Sequence, residues 1–298
     1  MTETKLIVED NSLDQTKAAT QGKIIWENFK RHKIAVIASV VFILMAIACF
    51  AAPLIAPYEF DAINLKAIRQ PPSVGNWLGT DDLGRDLLTR ILYGGRISIT
   101  IGLLSALVGT GLGALVGAIA GYYGGTVDNL LMRFTDVAYS IPTLPLLIVL
   151  SSFTNSAVPL MVLIIGFLSW MPTARVVRGA VLSAKEKEYV EAARMIGAPD
   201  KVIIWRHILP NIAGPIIVGA TLGVGDAIII ESSLSFLGLG VQPPIPTWGN
   251  MLMDSQATMA SKPWLTIFPG FAILLIVLAV NFMGDGLHDA LDPTLRRR

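Results

Sequence analysis

Two carboxylates, Asp226 and Glu231, stand inside an apolar stretch that extends from about Ile212 to Leu237. Ionised carboxylates are costly at membrane depth and usually face a bundle interior or a water-filled cavity. Five residues correspond to about 140° around a helix, so the two side chains cannot share one narrow face. We expect at least one of them to line a pathway or stabilise a gate. The alternative is a buried hydrogen bond to a neighbouring helix or subunit, which is favoured for Glu231 and stays equally open for Asp226.

A second acidic pair, Asp81 and Asp82, lies in a polar stretch before the second apolar run. Paired carboxylates are used in acid–base chemistry and in cation sites, but no second carboxylate cluster accompanies this pair. We expect Asp81 and Asp82 to cap a helix that continues through Arg90 and ends near Gly94-Gly95. Ion pairs with Arg85 or Arg90 would complete this structural role.

Motifs for catalysis or nucleotide binding are missing from the sequence. The Gly22-Lys23 pair lacks the other residues of a phosphate-binding loop. His32, His207 and His288 are too far apart for metal-ligand spacing, and no G-x-S-x-G nucleophile motif occurs. We therefore predict that the chain is not an enzyme and binds no metal or cofactor, so any energy must come from a partner or a gradient.

Composition indicates a membrane protein. The 298 residues are 53% hydrophobic and 15% charged, whereas soluble domains carry about 25% charged residues. A net charge of +1 argues against a nucleic-acid binder with a broad basic face. A helix needs about 20 apolar residues to cross the bilayer. Six stretches meet this need: Ile34–Ala56, Ile97–Gly121, Phe134–Phe153, Val158–Ala174, Ile212–Leu237 and Leu265–Phe282.

Basic residues set the expected orientation, since cytoplasmic segments carry an excess of lysine and arginine. With both termini in the cytoplasm, the outer segments hold only Lys66, Arg69, Arg85, Arg90, Arg96 and Lys262. We predict an all-α, multi-pass protein with six transmembrane helices and both termini inside. Its expected parts are a cytoplasmic tail 1–33, the first helix 34–56, an extracytoplasmic segment 57–96, a five-helix domain 97–285 and a cytoplasmic tail 286–298.

The polar loop 183–211 lies between two of these spans and is therefore predicted to be cytoplasmic. Residues 186–196 have good helix propensity, and Gly197 stands where a left-handed C-cap residue belongs. A second short helix is expected to begin at Pro199 and to end at Pro210. Two short helices joined by one glycine would present a compact docking surface to another protein.

Small residues mark the second predicted span. Gly109, Gly113, Gly117 and Gly121 follow each other at four-residue spacing and therefore lie on one helix face. Such a face allows a neighbouring backbone to approach closely, so we predict tight helix packing here. In the third span, Pro142 and Pro145 interrupt backbone hydrogen bonds, which indicates either a bend beside a pathway or a static kink.

Three motifs together resemble one family. Glu191-Ala192-Ala193, Gly197 and Ile208-Leu209-Pro210 resemble the EAA loop of ABC importer permeases, which couples these subunits to their ATPases. The segments 78–96 and 231–249 are similar to the C-type permease subunit of dipeptide, oligopeptide and nickel importers. The resemblance covers nearly the whole chain from Ile34 onward and implies a type I importer fold in a bacterial cytoplasmic membrane.

The resemblance also implies partners and roles. The chain would pair with a homologous B-type permease, dock on two ATPase subunits that bind ATP and Mg, and receive peptide from an extracytoplasmic binding protein. Glu191 would cap a helix or pair with a basic group, and Ala192 and Ala193 would allow close approach of the ATPase. Gly197 would supply the turn, with Leu209 and Pro210 completing the motif.

Other functions are left open by the residues. A nickel or glutathione importer of the same family is the nearest alternative. A secondary transporter would need inverted repeats or paired intramembrane charges for ion coupling, and the sequence shows no convincing repeat. A membrane-embedded enzyme would need a nucleophile–base or metal set, which we do not find in the apolar stretches.

Overall fold

A computed structural model describes residues 21–153 and 157–291, and most of these residues are helical. The predicted tails therefore lie partly outside the described residues, which end before Arg296, Arg297 and Arg298. The helices are α1 (Gln21–Arg31), α2 (Lys33–Phe50), α3 (Ala52–Ile55), α4 (Leu87–Tyr123), α5 (Gly125–Ser140), α6 (Thr143–Ser152), α7 (Val158–Phe167), α8 (Trp170–Ala184), α9 (Glu188–Met195), α10 (Asp200–Val202), α11 (Ala213–Phe236), α12 (Trp248–Ser255) and α13 (Trp264–Leu291).

The long apolar helices match the predicted spans. Helices α2, α4 and α13, and the continuous helical stretch from Asp200 to Phe236 that contains α11, are each long and apolar enough to cross a membrane. Two further spans are broken: α5 and α6 meet at 78°, and α7 and α8 meet at 46°. Counting each bent pair once gives six spans, and the chain is a multi-pass, all-helical membrane protein over the residues described.

Helix α4 is longer than predicted and packs against α2, α5, α7, α8 and α11. Its N-cap is Asp86, whose carboxylate accepts from the Thr89 amide at 2.8 Å, so the expected capping by Asp81 and Asp82 is wrong. The helix also continues through Gly94-Gly95 instead of ending there. Gly95 leaves room for Cys49 and the Trp248 ring, because a side chain at this position would overlap with both.

The glycine face of α4 lies directly against α7 and α8. A Cβ atom at Gly113 would lie 2.6 Å from the Trp170 carbonyl oxygen, and one at Gly121 would lie 2.9 Å from that of Arg178. At Gly117 it would overlap with the Ala174 carbonyl oxygen, and at Gly109 it would lie 3.2 Å from that of Gly166. The two helix backbones can approach this closely only because these side chains are absent.

Part of the predicted N-terminal tail 1–33 is helical and packs against the spans. Residues 21–31 form α1, which packs against α2 and α13. Phe29 is buried there with Ala35 and Ala290, and Gly286 gives α13 room to approach Ala35. Helix α13 also continues to Leu291, past the predicted boundary at 285, because its last turns cover the apolar face of α1.

We expect Gly117→Ala to lower the melting temperature of the purified protein. The added methyl group meets backbone atoms of α8, which cannot rotate away, and overpacking of this kind costs about 1–3 kcal/mol. Gly111→Ala is the matched control on α4, because no atom lies within 4 Å of its added Cβ. Equal melting temperatures for the two variants would contradict the close approach of α4 and α8.

Candidate functional site

Loop 183–211 carries the predicted coupling residues at one end of α11. Helix α9 ends in a turn in which the Ala198 amide donates to the Ala193 carbonyl at 3.0 Å and the Gly197 amide donates to that of Arg194 at 2.9 Å. This paired pattern is the Schellman motif, which requires a left-handed residue. Gly197 has φ +77°, so the structure places it in the conformation that a glycine adopts without strain.

The loop is fixed to the ends of α4 and α8. Val190, Ile203 and Ile208 are buried in one apolar cluster with α4 and α8 residues, among them Val177 and Val181. Burial of each large aliphatic side chain contributes about 1.5–3 kcal/mol. The loop therefore cannot move far without moving both helices.

Polar contacts with α4 strengthen this attachment. The Tyr122 hydroxyl donates to Asp200 at 2.7 Å, and the Arg194 guanidinium lies over the Tyr122 ring, 5.4 Å from its centroid. Tyr122 thereby joins both short helices of the loop to the last turn of α4. The sequence alone did not identify this residue, because its partners are about 75 residues away in the chain.

The second half of the loop does not end where we predicted. Helix α10 continues into a π-helical turn over Ile203–Ile208 and a 3-10 turn over Leu209–Ile212, which leads directly into α11. Pro210 lies in the first turn of the 3-10 segment, where its missing amide hydrogen is tolerated. The expected stop at Pro210 is therefore wrong, and the loop is continuous with the span that carries Asp226.

The predicted coupling residues have different environments. Glu191 and Ala192 are exposed, whereas Ala193 is 4% exposed and packs against the core beneath α9. Ala193 therefore lies in the apolar cluster beneath α9 and not on the surface that this chain offers to another protein. Leu209 packs at the edge of the same core, and Pro210 is exposed.

The turn around Gly197 exposes an apolar tip that we did not predict. Met195 is 83% and Ile196 is 84% exposed, and Tyr189 and Trp205 lie partly exposed on the same loop. Partial burial raises the pKa of Tyr189 above its ordinary value, so its hydroxyl stays neutral. Contiguous exposed apolar side chains mark interaction sites. The sequence could have indicated this exposed tip, because Met195 and Ile196 directly precede Gly197, the residue that ends α9.

Two ion pairs connect α8 to the bent pair α5–α6. Arg178 donates to both carboxylate oxygens of Asp128, each at 2.5 Å, and Arg175 donates to Asp136 at 2.8 Å. Arg175 also lies over the Tyr139 ring, 4.5 Å from its centroid. Because α8 is fixed to the loop, these pairs extend the same rigid connection to α5.

Asp226 borders a cavity of about 540 Å³. Its walls come from α4, from the α5–α6 bend, from the start of α8 and from one face of α11. Tyr139 and Thr143 line the cavity from the bend between α5 and α6, so the bend lies beside the cavity. For Pro142 and Pro145 this favours a bend beside a pathway over a static kink. Cavities of this size accommodate small organic ligands.

Glu231 makes buried hydrogen bonds to a neighbouring helix, which is the alternative that we favoured for it. It is fully buried, and its carboxylate accepts hydrogen bonds from Ser235 at 2.7 Å and from Ser98 at 2.9 Å. Ser232 contributes a longer contact of 3.4 Å. Glu231 therefore joins α11 to α4 and lines no cavity found in the described part of the chain.

The segment after α11 packs around the Glu231 carboxylate. The Trp248 amide donates to Ser98 at 3.4 Å, and its indole nitrogen donates to the Ile91 carbonyl at 3.0 Å. Trp248 is completely buried. Its ring fills the space that Gly95 leaves on α4.

Ion pairs around the N-terminal end of α4 hold the segment that precedes this helix. Asp81 accepts from Arg85 at 2.6 Å and lies 3.3 Å from Arg90, as the predicted ion pairing required. Arg85 also reaches Asp254 of α12 at 4.0 Å. Burial raises the pKa of Asp254, and the two arginines oppose that rise. The cluster is a structural junction between two extramembrane segments.

The fold and the loop define the class of this protein, and comparison with known proteins agrees. Residues 113–297 match the family described as binding-protein-dependent transport system inner membrane component, and residues 20–72 match the N-terminal transmembrane domain of oligopeptide transport permease C. The chain belongs to this family of transport permeases, which confirms the resemblance found in the sequence. Its members are membrane components of transport systems.

Individual relatives cover almost the whole chain. The glutathione transport system permease protein GsiD of Pectobacterium atrosepticum is 41% identical over 93% of this chain and 92% of its own length. The oligopeptide transport system permease protein OppC of Mycobacterium bovis is 38% identical over 94% and 97%, respectively. The dipeptide transport system permease protein DppC of Alkalihalophilus pseudofirmus is 38% identical over 95% and 93%.

We expect Glu231→Leu to destabilise the protein by about 2 kcal/mol or more, because it leaves buried hydroxyl groups without an acceptor. Glu231→Gln keeps an acceptor oxygen of the same shape and should melt close to the parent protein. Ser233→Ala is the control, since Ser233 is only half-buried and its hydroxyl bonds only to its own helix. Thermal unfolding measures the effect, and an equally damaging glutamine would show that the charge is required.

Proposed function

We propose that this chain is the membrane-spanning subunit of an ATP-driven ABC importer that carries dipeptides and oligopeptides across the bacterial cytoplasmic membrane. The observation that carries the proposal is the exposed Met195-Ile196 tip on a loop that is rigidly attached to the helices around the cavity. Relatives named for oligopeptide and dipeptide transport, both 38% identical over nearly the full length, support the choice of substrate.

The proposed assembly has four kinds of partner. A homologous B-type permease completes the pathway, two ATPase subunits bind ATP and Mg and receive loop 183–211, and an extracytoplasmic binding protein delivers the peptide. This chain binds no cofactor, and both its termini are cytoplasmic. Asp226 and Ile229 are exposed on the isolated chain in the middle of a span. Because an exposed carboxylate facing lipid is costly, a second subunit over this face is favoured.

The contacts suggest how ATPase movement would reach the cavity. The ATPases would displace the tip, and the apolar cluster beneath it would carry α4 and α8 along. Arg175 and Arg178 would then pull α5 through their aspartate partners and change the angle beside the cavity. Coupling requires that the ATP-bound and ATP-free assemblies differ in their contacts at this loop.

A glutathione importer is the second candidate, because the glutathione transport permease of Pectobacterium atrosepticum is 41% identical over 93% of this chain. Glutathione is a modified tripeptide, so the same cavity and coupling loop would serve it. A nickel importer is the third alternative of the same architecture.

We expect Gly197→Pro to abolish ATP-dependent uptake of trialanine into proteoliposomes that contain the complete importer. Proline removes the amide that donates to Arg194 and cannot adopt φ +77°, so the tip is displaced while the spans stay intact. Gly197→Ala keeps the amide at a cost of about 1–2 kcal/mol for the left-handed conformation. It should therefore reduce uptake less than proline does.

Gly179→Ala on α8 is the control for this experiment, because its added methyl group has no atom within 4 Å. Co-purification of the ATPases with each variant separates failed assembly from failed coupling. Normal uptake by an assembled Gly197→Pro complex would contradict the coupling role of the loop. Glutathione or nickel uptake without trialanine uptake would keep the architecture and replace the substrate.

A further inference from the structure

The cavity beside Asp226 has an uneven distribution of charge. Among the described residues that line it, Asp226 alone carries a charge, and the other polar groups are neutral hydroxyls such as those of Thr110, Tyr139 and Thr143. The rest of the wall consists mainly of aliphatic side chains and glycines. One carboxylate therefore dominates the electrostatic potential of the cavity, because the surrounding apolar wall screens it weakly.

The Asp226 carboxylate has no bonding partner within the described part of the chain. No hydrogen bond or ion pair to the Asp226 side chain occurs there, whereas Glu231, five residues later, is surrounded by hydroxyl donors. Arg175 of α8, two residues after the cavity residue Thr173, is already paired with Asp136 and lies over the Tyr139 ring. An exposed and unpaired carboxylate at this depth is costly unless another group makes use of it.

We infer that Asp226 receives the positively charged end of the substrate, the N-terminal ammonium of a peptide, as the peptide passes through the cavity. The inference rests on the proposed function, since it identifies the substrate group that this site recognises. An ammonium is a compact cation that can bind a single carboxylate through a charge-assisted hydrogen bond. The neighbouring hydroxyl groups can accept its remaining hydrogens.

The arrangement also distinguishes peptides from a bare metal cation. A divalent transition metal needs several ligating groups, and no cluster of three or more His, Cys, Asp or Glu side chains suited to a metal occurs in the described residues. A single carboxylate without further charged groups holds an ammonium only weakly. Weak binding suits a transport pathway, because the substrate must leave as readily as it enters.

The test measures uptake by the complete importer in proteoliposomes, supplied with saturating binding protein preloaded with trialanine. Saturation isolates the membrane step from capture by the binding protein. We expect Asp226→Asn to lower the maximal uptake rate at least about tenfold, which corresponds to one carboxylate–ammonium contact of about 1.4 kcal/mol. Asp226→Glu keeps the charge and should retain more than half of the rate.

A second substrate separates recognition from a structural role. Propionyl-Ala-Ala has the same length as trialanine but lacks the ammonium, and its loading on the binding protein is measured before use. Its uptake by the parent importer should be slow and should change less than twofold on Asp226→Asn. Thr221→Val is the control on α11, because the Thr221 hydroxyl bonds only to its own helix at Ile217. This variant should transport both substrates at the parent rate.

Three results would overturn the inference. Parent-like trialanine uptake by Asp226→Asn would show that the carboxylate is not needed. Equal losses for both substrates, or an Asp226→Glu variant as slow as Asp226→Asn, would show a packing or gating role. Absence of trialanine uptake by the parent importer would contradict the proposed function and, with it, the inference. This result is distinguishable from the other two because it is seen without any variant.

Discussion

The backbones of α4 and α8 approach so closely along Gly113, Gly117 and Gly121 that a Cβ atom at any of these positions would overlap with α8. In a bilayer there is little hydrophobic drive between helices, so association depends on this close dispersion contact. The same contact places the ends of both helices side by side. Loop 183–211 packs on that paired end, and the cavity forms where the two helices border α11.

This pairing makes the molecule stiff between the loop and the cavity. The loop is held by a buried aliphatic cluster and by Tyr122, and α8 is joined to α5 by two arginine–aspartate pairs. The helical backbone is broken instead within the two bent spans, whose halves meet at 78° and 46°. A displacement at the loop would therefore change the bend angles before it changed the packing of α4 and α8.

Two carboxylates on one helix illustrate how surroundings decide function. Asp226 and Glu231 have the same chemistry and lie five residues apart on α11. Glu231 points toward Ser98 of α4, where hydroxyl donors satisfy it and Trp248 closes the site. Asp226 points into a cavity that offers it no cationic partner within the described chain. The first has a structural role, and the second has no hydrogen-bond or ion-pair partner among the described residues.

Local rules were sufficient for the spans, the glycine face and the left-handed turn at Gly197, because hydropathy, four-residue spacing and helix capping depend on neighbouring residues. They failed at Pro210 and at Gly94-Gly95, where packing against other helices keeps the chain helical despite residues that usually end helices. They also could not separate Ala192 from Ala193, and for Asp226 they left a pathway role and a buried hydrogen bond equally open. Which side of a helix is buried depends on contacts between residues far apart in the chain, and only the tertiary structure decides those contacts.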